Sequence, residues 1–218
     1  MLRATGIQKS YENLQVLKGI DLDIQPGESL AIVGPSGAGK TTLLHILATL
    51  DKPSAGEIWF EQTCLQKLSE KKLAFLRNQN FGFVFQFHNL LPEFSALENV
   101  SLPALIAQAP LPQARQRAEE LLHTLGLADR LYHKPSELSG GQQQRVAVAR
   151  ALINQPKVLF ADEPSGNLDE KNAEKLHELF FDLKEKMGLT LIVVTHNLTL
   201  AQQTQRTIKI IDGQLSKD

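Results

Sequence analysis

Only one cysteine, Cys64, occurs in the chain, so no disulfide can close within it, and a reducing compartment, the cytoplasm, is the expectation. Its plain reading is a small half-buried side chain and not a reactive thiol. An excess of charge is missing as well. Lys and Arg number 23 against 24 Asp and Glu, a net charge of −1, and no long block of like charges occurs. Nucleic acid is therefore not expected as a partner, since nothing supplies long-range attraction to it. No apolar run approaches the roughly 18 residues that a membrane-spanning helix needs. The longest, such as 189–194, have strand length. The first residues, Met1 to Thr5, lack a basic stretch followed by an apolar one, so no signal peptide is expected. Repeats, low-complexity tracts and Gly/Ser linkers are absent, and 218 residues suffice for one sizeable core.

What is present alternates. Apolar or β-branched runs at 29–33, 157–161 and 189–195 read as buried central strands, with a helix expected over 40–50. Edge strands are expected at 2–11, 17–24, 56–60 and 206–212, the N-terminal ones forming a partly antiparallel layer. From Gln86 to Gly140 strand signals vanish. Residues 112–125 instead place Ala114, Ala118, Leu121, Leu122 and Leu125 on one helical face, closed by Gly126. The expected fold is a single α/β domain with a mainly parallel sheet. Its core comprises 1–86 and 151–218, with a helical lobe inserted over about 87–150.

Two motifs carry phosphate chemistry. Gly34-Pro35-Ser36-Gly37-Ala38-Gly39-Lys40-Thr41 fits the P-loop pattern G-x-x-x-x-G-K-[ST], after an expected strand and before an expected helix that Thr42 continues. Its glycines let backbone N–H groups converge on a phosphate and the helix N-terminus adds a favourable dipole. Lys40 neutralises phosphate oxygens, and the Thr41 hydroxyl is suited to Mg²⁺. The second motif, Leu138-Ser139-Gly140-Gly141-Gln142, pairs an N-capping serine with two glycines at the start of a helical run, a second anion-binding helix end. By chance it arises in on the order of one such chain in several thousand. Coincidence of both is negligible.

Asp162 and Glu163 end an apolar strand and are expected at the carboxyl edge of the sheet, beside the P-loop. Asp162 is suited to hold Mg²⁺ through water, and Glu163 to polarise the water that attacks a γ-phosphorus. His196, in Thr195-His196-Asn197, ends the next apolar strand and is placed to contact the γ-phosphate or orient Glu163. His45, His88, His123, His133 and His177 read as structural.

Along essentially its whole length the chain resembles the ABC ATPase family. The resemblance implies that Tyr11 stacks on adenine and that Gln86 is the Q-loop residue sensing Mg²⁺ and the γ-phosphate. It implies further that Ser165-Gly166-Asn167-Leu168-Asp169 is the D-loop crossing a dimer interface, Ser165 standing where many members have Thr. It also implies that two copies pack head to tail, each ATP lying between the P-loop of one and the signature of the other. Within the family, Phe85 to Pro92, Ala96 to Val100, Ser139 to Arg150 and Asp162 to Asp169 resemble the lipoprotein-release and macrolide-export group. That implies a peripheral ATPase on the cytoplasmic face of the inner membrane, serving integral membrane subunits. Lipoprotein release ranks first, with macrolide-export and cell-division complexes as alternatives. A soluble ATPase acting on DNA or ribosomes is disfavoured by the single P-loop and the short interval between Gln86 and Leu138. A scaffold without turnover is disfavoured by an intact Glu163.

Overall fold

The computed structural model describes residues 1–216, and the last two positions of the expected 1–218 domain lie outside the described residues. In chain order the elements are β1 (Leu2–Tyr11), β2 (Leu14–Ile24), β3 (Ser29–Val33), α1 (Lys40–Leu47), β4 (Ala55–Phe60), β5 (Thr63–Cys64), α2 (Glu70–Asn80), β6 (Phe81–Phe85), α3 (Ala96–Ile106) and α4 (Leu111–Thr124). There follow α5 (Gly140–Leu152), β7 (Val158–Asp162), α6 (Glu170–Met187), β8 (Thr190–Val194), α7 (Leu198–Gln203), β9 (Arg206–Ile211) and β10 (Gln214–Leu215).

Two compact units emerge, Met1–Arg77 with Leu189–Asp218, and Asn78–Gly188. In the first, β1 pairs antiparallel with β2 and β4, and β4 with β5, giving the expected N-terminal antiparallel layer. Its alternation is physical: Leu17, Ile20, Leu22 and Ile24 of β2 are buried while their neighbours face water. A second layer runs β10–β9–β3–β8, with β3 parallel to both β8 and β9. Strands β3 and β8 are apolar on both faces and almost wholly buried, as central parallel strands must be.

Helix α1 stops at Leu47 and not at Leu50 as expected. Thr49 enters the left-handed region at φ 59°, and the amides of Leu50 and Asp51 turn back to the His45 carbonyl. Arg77 donates to the Thr49 carbonyl at 2.7 Å and secures that turn.

The second unit joins helices α3 to α6 to the parallel pair β6–β7. The expected division placed both strands with the core, the lobe beginning only after Gln86. In the structure they fall in the same compact unit as helices α3 to α6, and α5 lies directly against β6. A Cβ on Gly82 would sit 2.5 Å from the Ala151 carbonyl oxygen, so only glycine permits the approach. The Asn154 amide also donates to the backbone and side-chain oxygens of Asn78, at 3.0 Å each. Helix α4 buries Ala114, Ala118 and Leu122, and Leu125 just beyond it, while Leu121 is half-buried. Gly126 follows at φ 70°.

Candidate nucleotide site

In the first unit the P-loop runs from the end of β3 to the start of α1, and its own packing demands two of its glycines. At Gly34, φ 149°, a Cβ would lie 2.2 Å from the Ile210 carbonyl oxygen, and at Gly39, φ 100°, 2.8 Å from a Leu17 methyl. Gly39 precedes α1 and, having no side chain, supplies no side-chain cap to its first turn. Lys40 reaches back over the loop, its Nζ donating to the Gly34 and Pro35 carbonyls at 2.9 Å each. Pro35, Ser36, Gly37 and Thr41 are exposed, Thr42 is half-buried and Ala38 is buried.

Tyr11, at the end of β1, is held as a platform. Its hydroxyl donates to Asp51 Oδ2 at 2.6 Å, Lys9 donates to Asp51 Oδ1 at 2.7 Å, and the Lys9 ammonium lies 4.7 Å from the ring centroid. The bond to Asp51 pushes the Tyr11 hydroxyl above its usual pKa. Burial alone would raise Asp51, yet the bonds from Lys9 and Tyr11 hold it below the usual carboxylate range. Tyr11 stays 47% exposed.

His196 follows β8. Because β8 runs parallel to β3, with Val194 beside Ile32, His196 and the P-loop leave the same edge of the strand pair. The Thr195 amide donates to the Ile32 carbonyl at 3.2 Å, and Asn197 caps α7, accepting from the Leu200 amide at 3.0 Å. His196 is thus an exposed side chain on a fixed backbone.

In the second unit, Phe85 of β6 lies beside Asp162 of β7, so Gln86 and Glu163 leave adjacent strands at one edge. Glu163 adopts φ 45°, a left-handed conformation that costs a non-glycine residue about 1–2 kcal/mol. Gln86 and Asn167 are joined twice. The Asn167 amide donates to the Gln86 carbonyl at 3.0 Å, and Gln86 Nε2 donates to Asn167 Oδ1 at 3.4 Å. Asp169 caps α6, accepting from the Asn172 amide and side chain at 2.9 and 2.6 Å, and the backbone bond holds its carboxyl below the usual range.

Ser139 caps α5 in a reciprocal box with Gln142, whose amide donates to Ser139 Oγ at 3.3 Å and whose Oε1 accepts from the Ser139 amide at 2.9 Å. The glycines after it contrast with those of the P-loop. A Cβ on Gly140 or Gly141 would meet nothing closer than 3.9 or 3.6 Å, so packing within this chain requires neither.

A family model described as ABC transporter matches residues 17–166. The chain belongs to the ABC transporter family. It is 58% identical over 218 residues, all of both chains, to a Bacteroides thetaiotaomicron protein named lipoprotein-releasing system ATP-binding protein LolD. A protein of the same name from Bacteroides fragilis is 58% identical over 215 residues, covering 99% of this chain and 100% of that one. Among solved structures, a dimeric post-hydrolysis state of an ATP-binding cassette bound to ADP and Pi superposes with a TM-score of 0.92. Its identity is 40%, over 100% of this chain and 97% of that one.

For an ABC transporter chain, the site residues read from sequence gather in two sets. Tyr11, the P-loop and His196 belong to the first unit; Gln86, Asp162, Glu163, the D-loop and the signature belong to the second. Sequence reasoning missed Lys9 and Asp51, whose contact spans about forty positions with no periodic signal. It also missed Arg150 of α5. That half-buried guanidinium donates to the carbonyls of Asn89 and His88 at 2.6 and 2.7 Å, gripping the segment after Gln86 at its two left-handed residues.

Proposed function

We propose that this chain is the ATP-hydrolysing subunit of a lipoprotein-releasing ABC transporter, two copies closing on ATP to drive integral membrane subunits from the cytoplasmic face of the inner membrane. One observation carries the reading. Close packing within the chain requires Gly34 and Gly39 of the P-loop but neither Gly140 nor Gly141 of the signature, as expected if the signature serves the nucleotide of a second copy. The full-length relatives named for lipoprotein release support that system, and the dimeric cassette with ADP and Pi supports the ATP chemistry. Among the described residues no helix is long and apolar enough to cross a membrane.

Each residue has an assigned task. Tyr11 stacks on adenine. The backbone N–H groups from Ser36 to Gly39 and of the first turn of α1, which Thr42 continues, hold the β-phosphate, and Lys40 neutralises it together with the γ-phosphate. Ser139, the amides of Gly140 and Gly141, and Gln142 receive the γ-phosphate of the partner copy, with Asp169 beside them in the D-loop. Glu163 takes the proton of the attacking water, and His196 holds the γ-phosphate or orients Glu163. Thr41, Gln86 and Asp162 supply hard oxygen donors for Mg²⁺. No group of three or more acidic, His or Cys side chains able to hold a metal occurs among the described residues. A hydroxyl, an amide oxygen and a carboxylate are the hard donors Mg²⁺ takes, an ion that keeps waters and binds chiefly through substrate phosphates. When bound, the ion neutralises charge developing on the phosphate oxygens.

The segment after Gln86 is the proposed seat for a membrane subunit. Phe87 is 73% exposed and Leu91 39%, while Phe85 and Leu90 are half-buried. Arg150 fixes the backbone between them. Burying an apolar side chain of this size contributes ~1.5–3 kcal/mol. Phe87→Glu with Leu91→Glu is therefore expected to weaken co-purification with the membrane subunits at least about tenfold. ATP turnover of the isolated chain should stay within about twofold. Unchanged assembly and unchanged stimulation of the ATPase by those subunits would remove this surface from the proposal.

A further inference from the structure

The turn between β7 and α6 is gripped from three sides, all within the second unit. Gln144 of α5 is fully buried, and its Nε2 donates to the Pro164 carbonyl at 2.7 Å. Gln86 and Asn167 exchange the two bonds already described. The third grip comes from α6. Its buried stripe is Ala173, Leu176, His177, Phe180 and Leu183, and the one polar member, His177, is 2% exposed and shares a 2.9 Å hydrogen bond with Ser165 Oγ.

An imidazole is a costly choice for that position. Burying a polar group without a partner costs ~1–3 kcal/mol, whereas a Leu or Phe continuing the stripe would add apolar burial at no such cost. Burial also holds the ring below its ordinary pKa and hence neutral near pH 7, so no ion pair accounts for it. What the imidazole supplies that Leu or Phe does not is the bond to Ser165. Two backbone bonds shape the same turn, from the Gly166 amide to the Glu163 carbonyl at 3.0 Å and from the Leu168 amide to the Ser165 carbonyl at 3.1 Å. The first holds the residue assigned as the base, and the second shapes the segment assigned to the interface with a second copy.

We propose that His177 is a positioning residue that acts through the Ser165 hydroxyl to fix the 163–168 turn, presetting Glu163 and the D-loop for dimer-dependent hydrolysis. The consequence for turnover rests on the proposed ATPase function; the clamp itself does not, and the two are read out separately.

The test uses the full chain with His177→Phe, His177→Gln, Ser165→Ala and the double variant His177→Phe/Ser165→Ala. Amide hydrogen exchange at Gly166 and Leu168 is expected to quicken about tenfold in His177→Phe and in Ser165→Ala, as loss of one buried hydrogen bond implies. The double variant should quicken it no further, because both changes remove the same bond. His177→Gln, which keeps an amide nitrogen near the Nε2 position, should restore most of the protection. Amides of β3 and β8 should not change. ATP turnover is expected to fall about five- to twentyfold with KM within about twofold. Exchange at Gly166 and Leu168 within twofold of wild type in Ser165→Ala, or multiplied effects in the double variant, would overturn the clamp. The Ser165→Ala and His177→Gln arms decide the matter even if His177→Phe does not fold. A wild-type chain without turnover contradicts the ATPase reading and leaves the exchange result to judge the clamp.

Discussion

Replacing Glu163 by Gln is expected to lower ATP turnover by roughly 10²–10⁴-fold while leaving ATP affinity within about twofold. The amide matches the carboxylate in size, so the left-handed turn at φ 45° is kept and only the proton acceptor is lost. The groups assigned to phosphate binding, the P-loop amides and Lys40, are untouched. If ATP completes a dimer and hydrolysis undoes it, the variant retains nucleotide and stays paired, and light scattering with ATP reports a species of twice the monomer mass. Phosphate release measured alongside separates the two steps. Turnover at the wild-type rate would take the role of base from Glu163, and loss of ATP binding would make the residue a ligand holder instead.

The second large effect is on binding. Lys40→Ala should raise the dissociation constant for ATP about ten- to a hundredfold, because a hydrogen bond to a charged group contributes ~1.5–3 kcal/mol. Its ammonium spans the P-loop by bonding to the Gly34 and Pro35 carbonyls, which places a compact positive charge at the mouth of a nest of amides. The truncation leaves the conformations of Gly34 and Gly39 in place, since close contacts with Ile210 and Leu17 fix them. The fold should therefore persist, with a melting temperature near wild type. Equilibrium binding of a fluorescent ATP analogue checks this, and an affinity within threefold of wild type would contradict the assignment.

These two effects lie where the sequence was most legible. The P-loop and signature declare themselves because their chemistry depends on fixed residue types at fixed spacing. Strands β3 and β8 declare themselves because burial on both faces leaves an unbroken apolar run. Helix ends were less legible. Nothing local in Thr49 announces a left-handed turn, and it is Arg77, far along the chain, that secures it. The amphipathic α6 was legible in the spacing of Ala173, Leu176, Phe180 and Leu183 but was not among the expected elements. His177 was read as structural, and its contact with Ser165 gives it a more specific proposed task. The Tyr11 platform was assigned through resemblance, but the Asp51 and Lys9 that hold it become visible only once β1 meets the segment after α1. The close approach of α5 to β6 depends on Gly82, whose missing side chain admits it and which no periodicity encodes.

The central claim is that neither motif completes a site alone, and a mixing experiment tests it most directly. In a Glu163→Gln background, chains carrying Lys40→Ala and chains carrying Ser139→Arg are each expected to remain monomeric with ATP, for opposite reasons. Mixed together, the intact P-loop of one and the intact signature of the other make a single complete site. The mixture should therefore yield dimers that retain one ATP per pair, read by light scattering and nucleotide content. A mixture that stays monomeric, or Ser139→Arg chains that pair with ATP by themselves, would contradict the shared site.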